Sequence, residues 1–183
     1  MNTKTLHSAT EVEGLLRQIT GEILLRLERL QIEEPILVGI HTGGVWIAER
    51  LHRALEIAAP LGALDISFYR DDFSRKGLHP EVRPSNLPIA IDDRHILLVD
   101  DVLHTGRTIR AALNEIFDYG RPASVQLITL VEREGGRELP IQADVTGLRI
   151  PLEPGQHITL TGPEPLGLIL STAKNRQSRE ASP

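Results

Sequence analysis

Apolar and polar positions along this chain follow two distinct periods. Across residues 10–30 the apolar side chains Val12, Leu15, Leu16, Ile19, Ile23, Leu24, Leu27 and Leu30 recur at helical spacing, which predicts an amphipathic helix. Thr10 is its predicted N-cap, with Glu13 completing a capping box. Residues 35–40 form a short continuous apolar run, the pattern of a buried strand, and His41-Thr42-Gly43-Gly44 forms a turn. Helical spacing returns over 45–57. Further strands are predicted over 64–69 and 96–99, a helix over 108–119 closed by Gly120-Arg121-Pro122, and a strand over 124–131. Strands and helices in alternation imply an α/β fold, a parallel sheet with helices on its faces.

Two segments break the pattern. Residues 70–94 carry Asp71, Asp72, Arg75, Lys76 and Arg83 with little periodicity, and a long polar loop inside a compact domain is usually functional. Beyond Glu132, the pair Gly135-Gly136 and the prolines Pro140, Pro151, Pro154, Pro163 and Pro165 punctuate short extended pieces, with strands predicted over 145–150 and 166–170. Residues 174–183 are polar and predict a disordered tail. With no internal repeat, residues 1–183 are expected to form a single domain.

Composition adds bounds. Apolar residues make up 40% of the 183 and charged residues 25%, ordinary for a globular chain with a substantial core. A net charge of -5 argues against a generic nucleic-acid binder and leaves room for a local basic face. The absence of cysteine excludes disulfides and thiolate metal sites. The start Met1-Asn2-Thr3-Lys4 lacks the apolar core of a signal peptide, and no apolar run approaches the roughly 20 residues that span a bilayer, so the expectation is a cytoplasmic protein with no membrane partner.

The chemistry concentrates in residues 96–108, Ile-Leu-Leu-Val-Asp-Asp-Val-Leu-His-Thr-Gly-Arg-Thr. An apolar strand ends in two carboxylates, and the turn Thr105-Gly106-Arg107-Thr108 opens a helix. Ligands of open α/β sheets bind at the carboxyl ends of strands, and a helix N-terminus with a glycine turn cradles phosphate through backbone amides. Asp100 and Asp101 add acceptors for two neighbouring hydroxyls, as on a ribose. Taken alone, the acid pair also fits a helix cap or the magnesium site of another α/β enzyme. The clustering of Thr, Gly and Arg directly behind it points to a sugar phosphate.

The segment Val99-Asp100-Asp101-Val102-Leu103-His104-Thr105-Gly106-Arg107-Thr108 resembles the signature of the type I phosphoribosyltransferases. Leu64-Asp65-Ile66-Ser67-Phe68-Tyr69-Arg70-Asp71-Asp72, Gly120-Arg121-Pro122-Ala123 and Arg137-Glu138-Leu139-Pro140-Ile141-Gln142-Ala143-Asp144 are similar to one branch, the pyrimidine-operon attenuator/uracil phosphoribosyltransferase family. The similarity runs from about Val12 to Leu170. It implies a parallel sheet with a small hood, mainly residues 132–172, over its carboxyl edge, and a lid loop over about 71–87. It implies conversion of uracil and phosphoribosyl pyrophosphate to uridine monophosphate (UMP) and pyrophosphate, with magnesium.

By the resemblance, Asp100 and Asp101 bind the ribose hydroxyls and meet the metal mostly through the substrate. Thr105, Gly106, Arg107 and Thr108 cradle the 5-phosphate, Val102 and Leu103 are further substrate-binding positions, and Thr42, Gly43 and Gly44 form the pyrophosphate loop. Arg133 and Ile150 belong to the base side, and Arg70 to the catalytic set. Departures stand beside these matches. The family's loop arginine is Gly43 here, a lost cationic contact that Arg70 partly compensates. The usual tyrosine is His104, read either as a general base for the uracil N1 proton or as a residue that only lines the pocket. His41 reads as a loop histidine. Leu148 replaces a typical lysine, and Glu132-Arg133 replaces Asp-Arg.

The family's second activity is binding a hairpin of pyrimidine messenger RNA. Arg17 and Arg137 are the expected contacts, whereas Gly21, Gly136 and Gln142 replace others. The readings are therefore an enzyme, an RNA-binding regulator that senses nucleotides, or a transferase for another base. The resemblance also implies a homodimer or higher homo-oligomer, with the apolar stretch around Leu25 to Leu30 available for subunit contact.

Overall fold

The computed structural model describes residues 2–66 and 85–172. In chain order the elements are β1 (Asn2–His7), α1 (Ala9–Leu30), β2 (Ile36–Ile40), α2 (Gly43–Ala54), β3 (Gly62–Leu64), β4 (His95–Leu103), α3 (Arg107–Tyr119), β5 (Ser124–Glu134), β6 (Val145–Pro151), β7 (Gln156–Thr161) and β8 (Gly167–Thr172). A five-stranded sheet has the order β3-β2-β4-β5-β6, with every neighbouring pair parallel. A second, three-stranded antiparallel sheet has the order β1-β8-β7. The α/β architecture expected from the alternating signals is the one observed.

The main sheet is buried on both faces, and its strands read accordingly: all five residues of β2 are buried. Successive side chains of a strand point to opposite faces, and the core divides along that alternation. Leu37, Leu97 and Val99 face α1 and α2, packing with Val12, Leu16, Ile19, Ile23, Ile47 and Leu51. Ile36, Val38, Ile96 and Leu98 face α3, packing with Ile109, Ala112 and Ile116. Leu160 and Leu168 of the small sheet, with Leu166 of the β7–β8 connection, join the first cluster and fasten that sheet to the body. Each fully buried aliphatic side chain contributes about 1.5–3 kcal/mol.

Several boundaries differ from the pattern-based expectation. Ser8, not Thr10, caps α1, and Glu11 accepts from the Ser8 backbone N–H and hydroxyl, both at 2.7 Å. Those bonds hold the Glu11 carboxyl below its ordinary value. Two overlapping capping patterns exist in the sequence, and Glu13 is instead drawn to Arg50 of α2 at 3.4 Å. Helix α2 begins at Gly43 rather than 45 and ends at Ala54, with Glu56 in the left-handed region at φ 51. The strand predicted over 64–69 is displaced: β3 ends at Leu64, Asp65 and Ile66 lie outside any strand, and 67–69 lie outside the described residues. Arg70, residues 71–84 of the lid segment and the 174–183 tail also lie outside them. Of the remaining lid residues, Asn86 exchanges backbone hydrogen bonds with Ala63 at 2.8 and 2.7 Å.

Strands β4 and β5 outrun their predicted ends. They stay paired through Val102 with Val131 and Leu103 with Glu132, so the acid pair lies inside a strand. Strands β1 and β7 carry no assignment in the sequence pattern. β1 reaches the small sheet from the opposite end of the chain, pairing Asn2 with Thr172. Among the described residues, no helix is long and apolar enough to cross a membrane.

Candidate functional site

The site forms where β2 stops and β4 continues. The β2–β4 ladder ends with Gly39 opposite Val99, and the loop His41-Thr42-Gly43-Gly44 then occupies the space beside the next residues of β4. Asp100 is 5% exposed and Asp101 half-buried. The loop lies directly on them. A Cβ built on Gly43 would sit 2.5 Å from Oδ2 of Asp101, and one on Gly44 would run into the Val99 carbonyl and lie 3.1 Å from Asp100 Cα. Glycine at position 43, the departure noted in the sequence, thus has a steric cause: the loop backbone is pressed against Asp101. Asp100 Oδ1 accepts from the Asp101 N–H and Asp101 Oδ1 from the Val102 N–H, both at 3.0 Å. These bonds orient the two carboxylates along the strand.

On the other side of the pair the chain turns into α3. Gly106 is the N-cap at φ 92, a left-handed conformation that favours glycine, and Arg107 begins the helix. Thr105 Oγ1 accepts from the Arg107 N–H at 3.3 Å, and the Thr105 carbonyl accepts from the N–H groups of Glu138 and Leu139 at 3.0 and 3.2 Å. The first amides of α3 lack intrahelical acceptors, as at any helix N-terminus. The Arg107 side chain reaches Glu138, with Nε to Oε2 at 2.6 Å.

The segment after β5 folds back over this loop. Arg137 donates to the His104 carbonyl and, at 2.7 Å, to Glu132, whose other oxygen accepts from Arg149 at 3.1 Å. An Nη of Arg133 lies 3.2 Å from His104 Nδ1. The His104 imidazole is held below its ordinary pKa, chiefly by burial and then by the Arg133 and Arg137 charges.

The structure thus brings together Thr42, Gly43, Gly44, Asp100, Asp101, Val102, His104, Thr105, Gly106, Arg133 and Arg137. Leu103 is 1% exposed and packed in the core on the α3 side, which leaves its backbone as the part that can face a ligand. Ile150 and Val102 pack partly against the α1/α2 core, and Ile150 pairs with Arg133. Arg17 is exposed on α1, far in sequence from this cluster. The sequence reading missed Glu138 as the partner of Arg107 and His157 as a charge acting on His104. The alternation of His157, Ile158, Thr159 and Leu160 carried a strand signal, obscured by the prolines around it.

Comparison with known proteins gives a consistent pattern. The sequence profile of the phosphoribosyl transferase domain matches residues 2–161. The chain is 57% identical over 157 residues to the "Bifunctional protein PyrR" of Nitrosococcus oceani, covering 85% of this chain and 88% of that one. It is 55% identical over 162 residues to the protein of the same name from Pseudomonas aeruginosa, covering 87% and 95%. Among solved structures, the hypoxanthine phosphoribosyltransferase of Trypanosoma cruzi superposes with a TM-score of 0.70 at 19% identity, covering 93% of this chain and 97% of that chain. The Staphylococcus aureus hypoxanthine phosphoribosyltransferase superposes at 0.63 with 18% identity, covering 81% and 77%, a likeness of fold.

Proposed function

The chain belongs to the phosphoribosyl transferase family, and from that premise we propose that it joins uracil to phosphoribosyl pyrophosphate, giving UMP and pyrophosphate. The observation that carries this reading is the acid pair of β4 held between a glycine-capped helix N-terminus and the Gly43-Gly44 loop. Asp100 and Asp101 accept hydrogen bonds from the ribose 2- and 3-hydroxyls. Thr105, Gly106, Arg107 and Thr108 receive the 5-phosphate, and Thr42, Gly43 and Gly44 offer backbone amides to the pyrophosphate.

Uracil N1 bonds to the anomeric carbon as the bond to pyrophosphate breaks, the bonding pair leaves with the pyrophosphate, and the N1 proton is released to solvent. Positive charge develops on the ribose ring, and carboxylates held beside it lower the barrier electrostatically. Two adjacent carboxylates, with no group of three His, Cys, Asp or Glu side chains gathered for a metal among the described residues, fit a magnesium ion that keeps water and substrate phosphate oxygens in its shell. Asp100 and Asp101 would hold it, mostly through the ribose, and when bound it neutralises charge on the leaving pyrophosphate.

The relatives' name, "Bifunctional protein PyrR", favours a second role, and the sequence resemblance makes binding of a pyrimidine messenger RNA hairpin the candidate. Exposed Arg17 supports it. Arg137 supports it less, because its guanidinium is engaged with His104 and Glu132. Exposed Leu24, Leu25 and Leu30 on α1 support a homo-oligomer.

The test is UMP formation from uracil, phosphoribosyl pyrophosphate and magnesium, with Asp100→Asn/Asp101→Asn as control. The expected result is turnover that falls by at least about 10²-fold in the double variant while the fold survives. Wild-type protein that binds phosphoribosyl pyrophosphate without turning over uracil overturns the enzyme reading in favour of a nucleotide-sensing regulator or a transferase for another base.

A further inference from the structure

His104 follows the acid pair in the chain and precedes the Thr105–Thr108 turn; its ring is flanked on two sides and its carbonyl is held separately. Nδ1 lies 3.2 Å from an Arg133 Nη. A guanidinium has N–H donors only and stays protonated, so Nδ1 is the acceptor in that contact. Its lone pair is occupied, and the proton of a neutral ring then resides on Nε2. On the opposite side the ring lies under Gly136, where a built Cβ would come within 2.7 Å of Nε2 and 3.2 Å of Cδ2. The His104 carbonyl is held by Arg137, which Glu132 anchors in turn at 2.7 Å.

We propose that Arg133 is a positioning residue that fixes His104 as the neutral tautomer protonated on Nε2, so that the loop offers a nucleobase a hydrogen-bond donor instead of a proton acceptor. A base with a carbonyl beside its reacting ring nitrogen, as in uracil, suits such a donor. The groups acting on the ring agree with this. Burial disfavours the imidazolium first, the Arg133 and Arg137 cations and His157 oppose it, and Glu138 favours it. Gly136 belongs to the same device, since any side chain there would displace the ring. The inference rests on the site being a base pocket, and its test is read without substrate, so that its failure and the failure of the transferase reading are separate results.

The experiment is nitrogen-15 NMR of the imidazoles in protein labelled at its 7 histidines, with the His104 signals assigned by their loss in His104→Gln. Wild type is expected to show an unprotonated Nδ1, a protonated Nε2 and a titration midpoint below that of free imidazole. Arg133→Met should raise the midpoint and mix the tautomers, and Arg133→Lys, which keeps a charged donor, should restore the wild-type pattern at least in part. The remaining histidine signals report whether each variant is folded. A wild-type ring protonated on Nδ1, or a folded Arg133→Met variant with the wild-type tautomer and midpoint, would overturn the proposal. The wild-type measurement decides the tautomer even if Arg133→Met fails to fold.

Discussion

Replacing Gly44 with alanine tests how tightly the pyrophosphate loop is seated. The added methyl would run into the Val99 carbonyl and stand 3.1 Å from Asp100 Cα and 3.2 Å from the Val99 carbonyl carbon. All three neighbours are backbone of β4, which pairs with β2 as far as Val99 and with β5 through Asp100 and beyond, and so has little freedom to yield. Overpacking of this kind costs about 1–3 kcal/mol. For a chain of this size each kcal/mol lowers Tm by about 2–4 °C, so a loss near 2 kcal/mol corresponds to about 4–8 °C. Relief requires the first turn of α2 to move away, and a shift on the order of 1 Å at a reacting centre costs about 10²-fold in rate. Gly43→Ala makes the informative contrast. Its nearest neighbours are Oδ2, Cγ and Cβ of Asp101 at 2.5, 2.7 and 2.9 Å; the first two swing away about χ1, and the Cβ contact needs a small backbone shift. It should cost less stability yet still lower kcat/KM, because the rotation takes a ribose ligand out of place. Gly21→Ala is the control: nothing lies within 4 Å of its built Cβ, and helix propensity makes it neutral or stabilising by about 0.5–1 kcal/mol. The assays are thermal unfolding, UMP formation, and phosphoribosyl pyrophosphate titration followed by Trp46, the sole tryptophan, two residues beyond Gly44. A Gly44→Ala variant with wild-type Tm and kcat/KM would refute the reasoning, since the loop would not then be locked against β4.

Two further outcomes follow from the same geometry. His104 has a folded-state pKa below its unfolded value, so on acidification the unfolded state binds the proton first. Its contribution leaves stability unaffected above the ordinary histidine value and lowers it as pH falls from there through the depressed folded value; denaturant titrations across that range should show a smaller acid-side loss in His104→Gln than in wild type. Arg26 joins α1 to the entry of β5 and β6, donating to Gln126 at 2.5 Å and to Asp144, whose other oxygen accepts from the Leu127 N–H at 2.8 Å. Both partners of the ion pair are about a quarter exposed, which tempers its worth, so Arg26→Met should lower stability by about 1 kcal/mol and leave UMP formation unchanged; a Tm drop that also abolishes activity would contradict a purely structural role.

What could be read from the chain was what depends on neighbours in sequence. The periods of α1, β2, α3 and β5 announce their buried faces directly, because a helix or strand repeats its environment at a fixed interval. The acid pair and the Thr105–Thr108 turn were legible for the same reason: a strand end, two carboxylates and a glycine-started helix are contiguous. Capping was ambiguous because Ser8 with Glu11 and Thr10 with Glu13 are the same local pattern, and the choice between them fell to Arg50 of another helix, which draws Glu13 away. β7 was too short and too close to prolines to stand out, and β1 has meaning only through its pairing with β8.

By itself, then, the sequence determined an α/β fold of the phosphoribosyltransferase kind and the β4–α3 segment where its chemistry resides. Tertiary structure alone decided how that segment is surrounded. A side chain at position 43 would meet Asp101, 58 residues later in the chain. His104 has a lowered pKa because it is partly buried and because the Arg133 and Arg137 charges reach it from β5 and the chain beyond. Arg107 faces Glu138, and Arg137 turns inward instead of out to solvent. A residue's type and spacing record its own local preferences, but clashes, tautomers and ion pairs depend on atoms within a few ångströms, and only the folded chain brings those together.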